Sequence, residues 1–335
     1  KNYTIGLNAA FEAAPGWGEQ RKYCLKANYI DFSHARNLVS AKLWGQMVAS
    51  RANVDEKLAS APNYGAVDGF PIVLYINGKY QGIYTFNIPK DGWLFNMGSG
   101  TQEAAVCANG PTSTAVVNLR SPNVALGTDY DVEYAPNEDD VGWIKTSLDN
   151  MIKALNPSTT LTDISTVDPY LDWDSVIDYL IFTSLVNGYD CIVKNYILVT
   201  YNGKKWAFSA YDLDSTYGLQ ADGKQFLPMQ ADGNTNVTVT MLCAANRAME
   251  LVKKFKLPQL KARYAELRSG ILSEDNVITT FANFIGSIPK ALYDRESLLW
   301  KGLPSTASNN LQQIADYYKR KCAAMDAQIE SLKEA

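Results

Sequence analysis

The chain of 335 residues contains a single histidine, His34. A Ser-His-Asp or Cys-His reaction centre would have to be built on that one ring, and nothing near it in sequence supplies the pattern. Zinc clusters are excluded on similar grounds. The five cysteines (Cys24, Cys107, Cys191, Cys243 and Cys322) are widely and irregularly spaced, with no C-x-x-C pair. Their odd number leaves at least one free thiol unless one pairs between chains. Positive charge is not in excess: 31 Lys and Arg face 35 Asp and Glu, a net −4, so there is no strong basic field for nucleic acid. No apolar run approaches the length of a membrane-spanning helix, and no signal peptide is visible. The chain opens on Lys1 rather than Met, which reads as the removal of an upstream segment.

What is present is ordinary in bulk. Hydrophobic residues make up 47% and charged residues 20%, enough to bury a real core. The length fits roughly two domains. Twenty Tyr and seven Trp exceed what a minimal core needs. Surplus aromatics suit surfaces that contact protein or stack on sugar, and buried packing accounts for them equally well.

The chain is organised around residues 189–218, YDCIVKNYILVTYNGKKWAFSAYDLDSTYG. Asp190 and Asn195 bracket a short loop. Residues 195–200 alternate as a strand, Asn202-Gly203 is a hairpin signal, and a return strand over 205–211 delivers Asp212 and Asp214. Residues two apart in an extended chain point the same way, so both carboxylates should face one site. Such a set has a chemical use. Phosphoryl transfer needs one carboxylate to orient an acceptor hydroxyl and hard oxygen ligands for the metal bridging the nucleotide phosphates. Protein kinases place a catalytic Asp, an Asn five residues on, a short hairpin and a metal-binding Asp in this order. Each residue taken alone is also ordinary turn chemistry. No His-Arg precedes Asp190, and Tyr-Asp-Leu-Asp stands in place of Asp-Phe-Gly. Cys191, beside the acid, reads as a buried packing residue.

Along the rest of the chain, residues 1–20 read as a partly extended lead-in and 22–29 as a strand. Ser33 is the expected cap of a helix to about Arg51, with Arg36 in its first turn needing a partner such as Asp31. A second hairpin turns at Asn77-Gly78, and Gly82 suggests a bulge or close backbone approach. Residues 98–140 read as an irregular insert with short strands such as 115–119. Helices are expected at 141–155 and 172–187. After a polar loop at 219–240 the chain reads as helical, with Pro258 as an interruption, Ser273 as a cap and a long final helix.

Four stretches together resemble the CotH kinase-like family, a divergent branch of the protein-kinase fold. They are LKANYIDFSHARN (25–37), VLYINGKYQGIY (73–84), NYILVTYNGKKWAFSAYDLDSTYG (195–218) and RYAELRSGILS (263–273), with YAPNED (134–139) a weaker fifth. The DxSxxRN and DLDxTxG elements are the specific ones. The resemblance implies an α+β, two-lobed protein-kinase-like fold. An N-terminal antiparallel-sheet lobe would span residues 1–157, and a mostly helical C-terminal lobe 158–335. It further implies ATP with Mg or Mn as cofactors, Asp190 as catalytic acid, and Asn195, Asp212 and Asp214 on the metal. Lys26 is the candidate for the nucleotide phosphates, because a point charge on a flexible stem can follow phosphate oxygens. In two places the chain departs from the family. Asn87 stands where an acid is usual after the first hairpin, and Tyr211 where Trp is common.

Three functions follow. The first is an atypical kinase phosphorylating Ser or Thr of a secreted, cell-surface or spore-coat protein. The second is a catalytically degraded kinase-shaped module that binds protein or carbohydrate in surface or coat assembly, motivated by Asn87 and the Tyr surplus. The third is a metal-dependent hydrolase using the same acids on water. The resemblance implies an extracellular, cell-surface or spore-coat location.

Overall fold

A computed structural model describes residues 1–110, 114–223, 237–304 and 310–333. Two antiparallel four-stranded sheets are combined with α-helices, an α+β composition. The first sheet holds β1 (Tyr3–Phe11), β2 (Gln20–Lys26), β3 (Gly69–Ile76) and β4 (Lys79–Asn87), in the order β1-β2-β4-β3. The expected lead-in is thus a full edge strand. The β3–β4 hairpin forms as its sequence demands: Asn77 (φ 51°) and Gly78 (φ 74°) both take the left-handed region of a type I′ turn. Gly82 (φ 112°) sits beside a register shift at Leu74/Tyr75, and a Cβ there would come within 2.9 Å of the Glu296 carboxylate. Bulge and close approach are therefore both present. One face of this sheet is aromatic, with Tyr23 packed against Phe86 (4.6 Å between centroids) and Trp93 (5.6 Å).

Between β2 and β3 lie α1 (Arg36–Ala49) and the short α2 (Glu56–Ala59). Ser33 does not cap α1. The Asp31 carboxylate accepts from the Arg36 backbone N–H (2.8 Å) and from the Ser33 hydroxyl (2.7 Å) instead. The partner expected for Arg36 is the right one, since its Nη1 meets Asp31 Oδ1 at 2.8 Å. Its Nε donates to the Thr216 carbonyl (3.0 Å) and its Nη2 to Gln313 Oε1 (2.6 Å). One fully buried guanidinium thus ties the start of α1 to the DLDST loop and to the last helix.

The second sheet differs from the sequence reading. It comprises β5 (Ala104–Asn109), β6 (Tyr130–Tyr134), β7 (Lys194–Thr200) and β8 (Ala207–Ala210), in the order β6-β5-β7-β8. The segment read as irregular therefore supplies two strands. The run Ala104–Ala108 is buried throughout, so it carries no alternation for a periodicity argument to find. The strand expected at 115–119 is instead the short helix α3 (Thr114–Val117), followed by Leu119 in left-handed conformation (φ 57°). The β7–β8 turn is also wider than two residues. Pairing starts at Val199 and Ala207, Gly203 supplies the positive φ (67°), and Asn202 Oδ1 accepts from the N–H groups of Lys204 and Lys205.

Helix α4 (Gly142–Leu155) and helix α5 (Trp173–Val186) match expectation. Asp172 caps α5 by accepting from Ser175 N–H (3.0 Å), and Asn187 (φ 57°) ends it. Helix α5 is buried on nearly every side, and its end feeds the Asp190 loop. Of the loop expected at 219–240, residues 224–236 lie outside the described residues. Then follow α6 (Val239–Ala245), α7 (Arg247–Phe255), α8 (Leu257–Ser269), α9 (Glu274–Gly286), α10 (Lys290–Leu299) and α11 (Leu311–Ser331). The helical stretch breaks at Lys256 as Pro258 leads one to expect, and Pro258 sits in the first turn of α8, where a proline forfeits no helical hydrogen bond. Ser273 caps α9 as expected. His34 serves the fold: its Nε2 lies 2.9 Å from Glu296 of α10, both side chains being buried.

Removing one partner of the Asp31–Arg36 pair leaves a buried charge uncompensated. Arg36→Ala is expected to cost about 3–5 kcal/mol in urea unfolding, and the paired change Asp31→Leu/Arg36→Met clearly less. A cost for Arg36→Ala below about 1 kcal/mol, the range of solvated pairs, would contradict the assignment.

Candidate active site

Strand β2 carries Lys26 at its C-terminal end, paired with β4 so that Cys24 faces Asn87 and Lys26 faces Thr85. Strand alternation puts these four residues on the face opposite the aromatic cluster. Beneath that face is a cavity of about 200 Å³ whose lining includes Lys26, Asn87, Lys90, Tyr211, Asp212 and Asp214. Three of the five residues singled out in the sequence therefore meet in one place.

The two carboxylates do not arrive there by strand alternation. Strand β8 ends at Ala210, and Asp212 takes a left-handed conformation (φ 52°). Holding a non-glycine residue there costs on the order of 1 kcal/mol and needs surrounding support. That support comes from the other specific motif. Leu213 N–H donates to Asn37 Oδ1 (3.0 Å), Thr216 Oγ1 donates to the Leu213 carbonyl (2.7 Å), and the Thr216 carbonyl accepts from Arg36. Gly218 (φ 85°) closes the turn, where a Cβ would lie 2.5 Å from the Tyr317 ring. The DxSxxRN and DLDxTxG elements, far apart in sequence, are one structural unit.

Burial pushes the Asp214 carboxyl well above the usual carboxylate range, and the neighbouring charges of Asp212, Asp31 and Asp190 push the same way. Asp212 is also raised, first by burial; Lys26 opposes the shift and Asp190 adds to it. Among the described residues neither makes a salt bridge. Two buried carboxylates sharing a site without a bound counter-charge are destabilised as anions, and a hard cation would relieve them.

Asp190 and Asn195 form a second group beside the first. Asn195 (φ 60°) donates from Nδ2 to Asp190 Oδ2 at 3.0 Å, and Lys194 Nζ lies 2.9 Å from Asp190 Oδ1. Neither Asp190 nor Asn195 lines the cavity itself, but the charge of Asp190 is felt by Asp212 and Asp214. The Cys191 thiol is buried and pushed well up by that burial and by the three acids, which suits packing and not nucleophilic chemistry.

Among the described residues no group of three or more His, Cys, Asp or Glu converges as a self-sufficient metal site. The two cavity carboxylates and the nearby Asn195 amide form an all-oxygen set that fits Mg or Mn only if phosphate and water oxygens complete the shell. The positive lining fits phosphate equally. Two lysines at the cavity were treated unequally by sequence reasoning, which found Lys26 and missed Lys90. Lys90 lies 2.5 Å from Glu133 of β6 and 4.6 Å from the centre of the Tyr211 ring. No local signal marks it, because Glu133 belongs to the segment that reads as irregular. Asn87 was visible only as an oddity. It is buried (1% exposed), and neither its Nδ2 nor its Oδ1 has a hydrogen-bond partner.

A family model described as CotH kinase protein matches residues 1–325. The chain belongs to the CotH kinase family. No curated protein matches it closely enough to add an individual relative. Kinase-like character is thereby a property of the family.

The raised carboxyls of this CotH kinase family member have a consequence for stability. A carboxyl raised by folding holds its proton at pH values where the unfolded chain, with an ordinary Asp near about 3.9, has lost it. Stability contributed this way is present at low pH and falls as pH rises through the raised value. Asp214→Asn should therefore raise the thermal midpoint of nucleotide-free protein in EDTA at neutral pH, with the gain shrinking toward pH about 4. An Asn variant less stable than wild type at neutral pH would refute the assignment.

Proposed function

We propose that the chain is an atypical protein kinase that transfers the γ-phosphoryl group of ATP to a Ser or Thr hydroxyl of a secreted, surface or coat protein. The observation carrying this reading is the convergence of Lys26 with Asp212 and Asp214 on one cavity, beside the Asp190–Asn195 pair, in a member of the CotH kinase family. The nucleotide would lie between an N-terminal lobe (1–157) and a C-terminal lobe (158–335). Lys26 holds the phosphates, with Lys90 as a second positive charge. Asp212 and Asp214 hold the metal and Asn195 supports it. When bound, Mg or Mn supplies the positive charge that offsets the phosphate oxygens. Asp190 orients the acceptor hydroxyl and receives its proton as the oxygen attacks phosphorus. Asn195 and Lys194 hold the Asp190 carboxylate in place for that task.

A second reading retains the fold as an assembly module binding protein or carbohydrate. It is favoured by Asn87, which leaves Lys26 without the acid usual in the family. The two readings separate on binding. Calorimetric titration with ATP should show binding that requires Mn or Mg. Asp212→Ala should abolish the metal-dependent part. Asp190→Asn should leave affinity within about threefold and lower transfer to a casein acceptor by about 10²-fold or more, the range of one general base. A wild type that binds no nucleotide with either metal rules out the kinase reading and favours the assembly module.

A further inference from the structure

The end of α10 leaves three large apolar residues in a row in water: Leu298, Leu299 and Trp300 expose 74%, 41% and 44% of their surface, and Tyr29 after β2 exposes 60%. Such a patch on a single surface asks for a partner. Leu299, Trp300 and Tyr29, with Tyr84 and Leu303, line a cavity of about 350 Å³ where α10 meets β4. The polar groups of its wall are already engaged. Trp300 Nε1 donates to the Gln81 carbonyl (2.9 Å), and the Tyr84 hydroxyl donates to the Lys1 carbonyl (3.1 Å). Glu296 lies 2.9 Å from His34 Nε2 through one oxygen, and its other oxygen accepts from the Ile83 N–H (3.3 Å). The wall is therefore apolar in effect, and carbohydrate, which needs a row of polar partners, does not suit it. Lys1 and Lys301 also line the cavity; both are exposed, and among the described residues neither makes a salt bridge. The pocket adjoins the candidate active site. Ala27 and Tyr29 line it, while Lys26, Asn28 and Tyr29 line the active-site cavity. That shared wall is pinned, because Asn28 Nδ2 donates to Thr85 Oγ1 (3.2 Å) and lies 3.4 Å from Nδ1 of the His34 ring that meets Glu296.

We infer that this pocket docks a segment of the acceptor protein, one that carries a large apolar side chain flanked by acidic residues. This rests on the kinase reading above. The pocket offers apolar burial and two ammonium groups with no carboxylate partner, so the occupant that fits is apolar at its centre and negative at its edges. Its place against the wall of the active-site cavity makes it a site for the protein that is to be phosphorylated. Leu299 and Lys301 are then specificity-determining residues that touch neither nucleotide nor metal.

The test is calorimetric titration of the full chain with three sets of short capped Ser peptides: Phe flanked by Asp, Phe flanked by Lys, and the Asp set with Phe replaced by Ser. Wild type should bind the Asp-flanked Phe set most tightly. Leu299→Gln should weaken that binding by about tenfold or more, the scale of one buried apolar side chain, at any salt concentration. Lys301→Glu should weaken it at low salt and do so much less in about 1 M NaCl, where exposed charges are screened. Titration of both variants with Mn and ATP should be unchanged from wild type, which separates lost docking from lost fold. If wild type binds nucleotide but does not prefer the Asp-flanked Phe peptides, or if either variant binds them as wild type does, the docking site is overturned and the nucleotide site stands. A wild-type dimer in sedimentation that Leu299→Gln dissociates also overturns it, since the occupant is then a second copy of the chain. If wild type binds no nucleotide with either metal, the kinase reading itself fails and the acceptor role falls with it.

Discussion

The buried pair of Asp31 and Arg36 is the constraint on which the site depends. A guanidinium with no exposed surface cannot be solvated, so each of its donors must find a partner. Those partners are chosen from three distant parts of the chain: Asp31, the Thr216 carbonyl and Gln313. Such a pair need not add net stability, because its desolvation offsets much of its attraction. What it does provide is register. The start of α1, the loop after β8 and the last helix can satisfy that charge in only one mutual arrangement. The DLD turn is thereby fixed relative to β2, and with it Asp212 and Asp214 relative to Lys26.

That fixed arrangement holds several features the fold would relax if it could. Asn195 and Asp212 sit in left-handed backbone conformations without being glycine. Two carboxylates are raised by burial, and Asp212 raises Asp214 further. An amide is buried with nothing to bond. Each is locally unfavourable, and all lie at or beside one cavity. Left-handed residues also occur away from the cavity, Tyr64 and Leu119 among them, while helices are capped by Asp172, Asn246 and Ser273 and aromatic residues pack in the core. Two buried carboxylates facing a lysine across a cavity are what a site awaiting a charged ligand would show.

The sequence was most legible where a local rule decides the structure. Asn77-Gly78 dictated its turn, and the apolar faces of α5 and α11 dictated their helices. The acids after β8 were found as chemistry, yet the reason given for their common direction was wrong. A left-handed Asp212 puts them together, not alternation, because β8 stops short at Ala210. The β7–β8 hairpin of the second sheet was expected, but β5 and β6 were not located, for a related reason. Strand β5 is buried on both faces, so it has no period, and its partners β6 and β7 are fixed by long-range pairing. Lys90 and Glu133 could not be recognised as a pair for the same cause.

The replacement of an acid by Asn87 looks at first like decay, since it removes a natural partner for Lys26. The charges of the cavity argue otherwise. Asp212 and Asp214 are already raised, first by burial and then by neighbouring carboxylates, Asp190 on both and Asp212 on Asp214. A third carboxylate on the same lining would raise them further and would compete with phosphate for Lys26. With an amide at this position, Lys26 makes no ion pair among the described residues, and its charge opposes the rise of the Asp212 carboxyl. Lys90, by contrast, is engaged by Glu133. One lysine of the cavity is held by the protein and the other lines it with Asp212 and Asp214. Neutrality at residue 87 therefore leaves the positive charge of Lys26 facing the cavity undiminished by a third carboxylate.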